Sequence, residues 1–359
     1  MHLLSAAFEN FIVVSSLLAV AGFVVAWSAR WIARRVGCHP HMLTQIYTAV
    51  IIMPPFVAAW LVTAALFPQA WLDPSAFHAA HPAPLHPVHL VGNLTASLEP
   101  ALAHVTLSLA AGMFLVITWV SFSGYRRIGT LIERLETNAA PPTPEQMALL
   151  TAVATRHGLS VGLVLANSPL SFVWGFSRSK LVLSSGLLRA LTPAELTGVI
   201  EHEAAHHARR DNLVKLLLSI LSLGSLVFPL SRLVLRWRAE QVELLCDEIA
   251  VARTSAPLEI AEALVKLRRA TACSANALAA TPASSFLPRD SASVECRVRR
   301  LIEFADVLPS PARAALLSRS SRSLAAGLPI FFGATLLLVS ALDPLAIHTA
   351  AEFLIQSLK

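Results

Sequence analysis

Apolar residues in this chain fall in long unbroken runs, not in the alternating or one-faced patterns of a soluble domain. The windows 11–29, 47–66 and 323–342 carry no charge, and 101–120 carries only His104. A helix needs about 20 such residues to cross the hydrocarbon core of a bilayer. Core helices of soluble proteins rarely stay free of charge for so long. The pattern therefore predicts four transmembrane helices, the second kinked at Pro54-Pro55. Between the third and fourth lies a segment of mixed character. There, 161–165, 172–176 and 181–183 read as short strands and 143–158 and 195–210 as helices.

The placement of charge orients these spans. Residues 1–10 contain no Lys or Arg, whereas Arg30, Arg34 and Arg35 follow the first run. A cleaved signal has the opposite order, so the first run is expected to be an anchor with the N-terminus outside. The positive-inside bias then puts loop 30–46 inside and loop 67–100, which lacks Lys and Arg, outside. Arg126, Arg127 and Arg134 put 121–322 inside, and the tail 343–359 is exported. Of the 28 Lys and Arg residues, only Lys359 faces out in this arrangement. The expected organisation is a three-helix membrane region over 1–122, a cytoplasmic domain over 123–322, and a final span with a short tail over 323–359. That is the topology of a multi-pass protein of a bacterial-type cytoplasmic membrane.

Composition agrees. Hydrophobic residues make up 55% of 359 and charged residues 14%, against about 25% charged in soluble domains; mean hydropathy is +0.63. Disorder is excluded, and an ordinary cytosolic fold is not expected. Four cysteines are too sparse for a disulfide scaffold; all four fall on the reducing side and are expected to be free thiols. The net charge of +6 is explained by orientation and contact with anionic lipid, so no direct nucleic-acid binding is expected. His78, His81, His86 and His89 in the outer loop read as a solvated, Pro-rich stretch.

Thr192-Pro193-Ala194-Glu195 starts a helix, with Thr as N-cap, Pro in the first turn and Glu at the third position. On that helix lies His202-Glu203-Ala204-Ala205-His206. Two imidazoles one turn apart on one face can grip one zinc ion, and the carboxylate between them can take a proton from water. Downstream, Glu243 and Asp247 are again one turn apart. They suit a third ligand and a carboxylate that orients a ligating His, with Glu240 a rival ligand three residues earlier. The intervening 213–235 is apolar but contains Arg232, Gly224 and Pro229. A single crossing would put His206 and Glu243 about 30 Å apart, so the segment reads as a helical hairpin, re-entrant or lying on the membrane surface. Arg238, Arg253 and His207 are candidates to stabilise an oxyanion. The 172–176 strand is either an edge that pairs with substrate or ordinary core sheet. The loop 277–290 is a candidate self-cleavage segment, near Ser285-Phe286.

The run from Leu181 through Thr192-Pro193-Ala194-Glu195, His202–His206, Arg209-Arg210-Asp211-Asn212 and Glu243…Cys246-Asp247 resembles membrane-embedded gluzincin peptidases. With Phe228-Pro229 and the order of spans, it looks most like the BlaR/MecR-type antirepressor peptidases. The resemblance implies a mainly α membrane protein with an α+β gluzincin-like protease domain. It implies zinc bound by His202, His206 and Glu243, Glu203 as general base, Asp247 behind a ligand, and Asp211 as a structural residue closing the motif helix. The implied activity is zinc endopeptidase action on protein substrates at the membrane, with a repressor-type transcription regulator as partner. Few residues follow the last run, so the sensor domain of those proteins is not expected. The CAAX prenyl protease and HtpX family shares the zinc motifs and is the rival resemblance, implying a membrane quality-control protease. A non-enzymatic scaffold with a structural zinc site is the third reading.

Overall fold

The computed structural model describes residues 2–37, 39–66, 129–136, 142–175, 179–222, 228–273 and 291–308, with isolated positions between 112 and 127. The expected third and fourth spans (apart from isolated positions), the outer histidine loop and the candidate self-cleavage segment lie outside these residues.

Helices α1 (His2–Ile32) and α2 (Pro40–Leu66) form a hairpin. Both contain a window long and apolar enough to cross a membrane, Phe11–Val36 and Pro40–Ala58. The loop expected over 30–46 is far shorter. The first helix continues as a π-helical turn over Ala33–Gly37, and α2 starts at Pro40. Arg34 and Arg35 thus ride on a helix end, not a loop. Gly22 lets the two helices touch: a Cβ there would lie 2.9 Å from Val50 Cγ1. The outward face of α1 shows Leu17, Val24, Val25, Trp27 and Trp31 to the surroundings. α2 runs through both Pro54 and Pro55 as one helix.

A three-stranded sheet builds the second region. It comprises β1 (Ser160–Val164), β2 (Ser171–Trp174) and β3 (Lys180–Ser184), in the order β1-β3-β2. β1 pairs parallel to β3, and β2 antiparallel to it with Val173 opposite Leu181. β3 is the central strand, and Leu181, Val182 and Leu183 are fully buried, as expected for a strand covered on both faces. Helix α3 (Pro144–Arg156) precedes the sheet, and α4 (Ser185–Ala190) leads into α5 (Pro193–Arg209). Leu150 and Val153 of α3, Leu181 and Leu183 of β3, and Leu196, Val199 and Ile200 of α5 share one core. Burying each such aliphatic side chain stabilises the fold by about 1.5–3 kcal/mol.

Helices α6 (Asp211–Ser222) and α7 (Phe228–Thr254) are the two arms of the hairpin expected over 213–235. Their apolar sides join the membrane pair: Leu218, Val234 and Trp237 cluster with Ala26, Tyr47 and Ile51. Both helices therefore lean on α1 and α2. Helices α8 (Pro257–Cys273) and α9 (Ser291–Asp306) complete the described structure. Leu301 of α9 packs with Val251 of α7 and Ile260 of α8. α5 and α8 approach closely at Gly198, where a Cβ would meet Ile260 Cγ1 at 2.6 Å.

Candidate metal centre and active site

The helix that carries the histidines is framed by local chemistry. Thr192 Oγ1 accepts from the Glu195 N–H, and the Glu195 carboxylate accepts from the Thr192 N–H at 2.8 Å, closing a capping box with Pro193 at the first position. At the other end Arg210 adopts a left-handed conformation (φ 55) and stops the helix. One stripe of α5, Leu196, Val199 and Ile200, is buried in the core. On a neighbouring stripe His202 and His206 turn to α7, and Ala205 packs with Val242, Leu245 and Cys246 of that helix.

This contact joins two motifs about forty residues apart. His202 Nε2 lies 3.4 Å from one oxygen of Glu243, and His206 Nε2 lies 3.5 Å from the other. Ligands of tetrahedral zinc, each at about 2.1 Å, are separated by about 3.4 Å. Two imidazoles and one carboxylate at that spacing suit a divalent cation with one position left open. Glu240, the rival ligand, is taken up elsewhere: it accepts from Arg30 Nη1 of α1 at 2.8 Å.

Each imidazole has a carboxylate behind it. Asp211 Oδ2 lies 3.1 Å from His206 Nδ1 and also accepts from Arg209 Nε. Arg210 ends the motif helix, where the resemblance implies Asp211, and Asp211 opens the next one; the Asp211 side chain instead fixes which nitrogen of His206 faces the candidate centre. The carboxylate expected behind a ligand, Asp247, has Oδ1 2.9 Å from His202 Nδ1, though off the line of a straight hydrogen bond. Burial disfavours charge on His206, yet its polar neighbours hold its pKa well above the usual value. Cys246, Asp211 and Glu243 are those neighbours, and burial in turn pushes the Cys246 thiol up. Glu243 is held well below the usual carboxylate range against its burial, by Arg297 and both imidazoles.

Glu203 sits between the two histidines and accepts from Ser171 Oγ of β2 at 2.9 Å. β2 is the outer strand of the sheet, so the carboxylate of the HExxH motif is tied to the sheet edge. On that edge the carbonyl of Val173 is occupied by Asn212 Nδ2 at 2.8 Å.

Two of the three residues considered for the oxyanion have other partners, and the third, His207, lies beside other cationic groups. Arg238 is buried and donates from Nε to Thr48 of α2. Arg253 donates to Glu201, and His207 lies within the electrostatic reach of His157 and Arg210. The residue that sequence reasoning missed is Arg297 of α9. Its Nη1 donates to Glu243 Oε2 at 2.9 Å, and its Nε and Nη2 donate to the two oxygens of Asp247 at 2.7 Å each. Its signal is faint: one of three arginines, with Arg299 and Arg300, in a basic stretch distant in sequence from both motifs.

The comparisons with known proteins cover this region. Residues 145–285 match the model of peptidase family M48. Over 127 residues, or 34% of this chain, the sequence is 32% identical to a "Protease HtpX homolog" of Pyrobaculum islandicum, covering 36% of that protein. A Gemmatimonas aurantiaca "Protease HtpX homolog" is 33% identical over 119 residues, 32% of this chain and 41% of its own length. "Protease HtpX" of Legionella pneumophila is 31% identical over 133 residues, 34% of this chain and 47% of its own length. The matched stretch thus spans less than half the length of these curated relatives. The M48 and HtpX likeness supports a metallopeptidase. It also reverses the order of the two resemblances: the HtpX reading is supported, and the antirepressor subtype has no support among these relatives.

Proposed function

We propose that this protein is a membrane-bound zinc endopeptidase of the HtpX kind. His202, His206 and Glu243 hold the metal, and Glu203 is the general base. The observation that carries the reading is the convergence of both Nε2 atoms on the two oxygens of Glu243, 3.4 and 3.5 Å away. The donor set, its spacing and the oriented imidazoles all fit zinc. When bound, zinc supplies a Lewis acid that polarises a peptide carbonyl and acidifies a water molecule.

The chain's own groups do the rest. The Glu203 carboxylate takes a proton from the attacking water and returns it to the leaving amine. Ser171 holds one oxygen of that carboxylate, leaving the other for proton transfer. An extended substrate adds to the free edge of β2, pairing beside Ser171, while Asn212 closes the Val173 carbonyl and limits how far pairing runs. Asp211 and Asp247 keep the imidazoles aimed. In this reading the apolar α1–α2 pair anchors the protein in a membrane and the site acts on proteins presented at one face of it; the two apolar helices support this. The positive-inside bias makes that face cytoplasmic.

Metal analysis of purified protein, combined with casein cleavage, tests the reading. One zinc per chain, chelator-sensitive cleavage by the wild type and none by Glu203→Ala are expected. Absence of bound metal, or equal cleavage by Glu203→Ala, overturns it.

A further inference from the structure

Helix α9 adds a third element to a site that the two motifs build from α5 and α7. Its apolar side, Val298, Leu301 and Phe304, packs with α7 and α8. Arg297 lies off that cluster, only 5% exposed. All three of its donor nitrogens are engaged, and every acceptor is a carboxylate of the candidate centre. Arg300, one turn on, pairs with Glu248, and Arg299 pairs with Glu295 in solvent. The helix thus has one arginine aimed at the site and others that are not.

We infer that Arg297 is a positioning residue for the metal centre: its guanidinium fork holds Glu243 and Asp247 in the relative placement that lets one ligate and the other orient His202. The inference rests on the metal assignment proposed above. Geometry gives the reason. Glu243 and Asp247 stand one helical turn apart, Asp247 buried and Glu243 half-buried, and two carboxylates so close repel each other unless a cation lies between them. A guanidinium can donate in parallel to both oxygens of one carboxylate while a third nitrogen reaches a second. A lysine ammonium is a point charge and cannot reproduce that plane. Asp247 takes the paired Nε and Nη2 donors, so the arginine charge is largely matched there. A single bond from Nη1 then turns Glu243 without occupying its other oxygen, the one nearer His206.

The role also joins α9 to the metal. A residue of the last described helix sets the geometry of a ligand on α7, although it touches no substrate and makes no contact with the metal. Outer contacts of this kind change metal affinity by about 10–100-fold when removed.

The test measures the zinc dissociation constant by chelator competition, with the cobalt(II)-substituted absorption spectrum as a second readout. It uses the full chain in detergent. Arg297→Lys keeps the charge and Arg297→Gln removes it; Arg299→Gln on the exposed side of α9 is the control. Both Arg297 variants are expected to bind zinc about 10-fold or more weakly and to shift the cobalt spectrum, with Arg299→Gln matching the wild type. An Arg297→Lys protein with wild-type affinity and spectrum overturns the inference, because charge alone then suffices. Failure of both variants to fold also overturns it, since Arg297 is then a clamp of the core and not of the centre. A wild type that binds no zinc defeats the functional reading itself, which separates the two failures.

Discussion

The two helices that supply the candidate ligands are held differently. α5, with His202, Glu203 and His206, is fixed by apolar burial and by its own end signals: Ile200 and Leu196 in the core, the Thr192–Glu195 box at the start, Arg210 at the stop. α7, with Glu243 and Asp247, also buries an apolar side against α5, α8 and α9, but adds polar and aromatic ties to distant elements. Arg30 of α1 bonds Glu240 and lies over the Trp237 ring, Thr48 of α2 accepts from Arg238, and Arg297 of α9 grips the ligand end. One helix is a part of the globular core. The other is a 27-residue beam whose first half belongs to the membrane pair and whose second half belongs to the site. The difference teaches where each kind of damage should appear: faults in the α5 core or at Glu203 cost stability or chemistry, and faults at the proposed ligands, His202 and His206 of α5 and Glu243 of α7, or in the ties that hold α7, cost the metal.

The sharpest separation comes from the chemistry of each helix. Glu203→Gln should lower kcat/KM by at least about 10³-fold with zinc content unchanged. Glu243→Ala should lose both zinc and activity. Metal analysis beside a casein assay checks the pair. Zinc loss in Glu203→Gln, or a metal-loaded and active Glu243→Ala, breaks the division of labour.

Ile200→Ala probes how α5 is held. The side chain is fully buried, so its truncation should cost about 2–5 kcal/mol. In thermal unfolding this reads as a lowered midpoint at full zinc stoichiometry. A smaller effect sharpens the opposite half of the comparison. Arg30→Gln removes a partly exposed ion pair with Glu240 worth about 0.2–1 kcal/mol and a cation–π contact of about 0.5–1 kcal/mol. It should leave the core of α5 unchanged while speeding zinc loss to a chelator, because the beam is loosened at its membrane end.

This contrast also explains what the sequence made legible. α5 was readable because its cap, its apolar stripe and its HExxH motif all lie within twenty residues. The strands of the sheet were readable within a residue or two, since each is a short apolar run between turns. Glu243 and Asp247 were readable by their spacing. The helical hairpin over 213–235 was legible because Arg232, Gly224 and Pro229 interrupt an otherwise apolar run. What periodicity cannot show is which distant group meets which. Glu240 looked equal to Glu243 until Arg30, 210 residues away in the chain, was seen to take it. Asp211 looked structural because its bond to His206 depends on the left-handed turn at Arg210. Arg297 was hidden because no local pattern distinguishes a buried arginine from its exposed neighbours in a basic helix. The turn between α1 and α2 was overestimated because arginines at a helix end read like arginines in a loop.

The smallest expected effect lies at the start of α5 and tests whether its anchoring is as local as it looks. Glu195 is 2% exposed, closes the capping box and accepts from Lys266 Nζ of α8. Burial alone would raise its pKa, but the Lys266 and Thr192 bonds outweigh that and hold it below the ordinary value near 4.5. A carboxyl whose folded pKa is depressed contributes stability above its unfolded pKa and loses it as pH falls through the folded one. Glu195→Gln should therefore cost about 1 kcal/mol at neutral pH. Because both forms are neutral in acid, the gap between variant and wild type should narrow below about pH 4. Unfolding midpoints at about pH 7 and about pH 3 measure this directly. A gap that stays constant over that range would assign the stabilisation to packing, and zinc affinity altered by Glu195→Gln would show that α5 is not the self-contained element described.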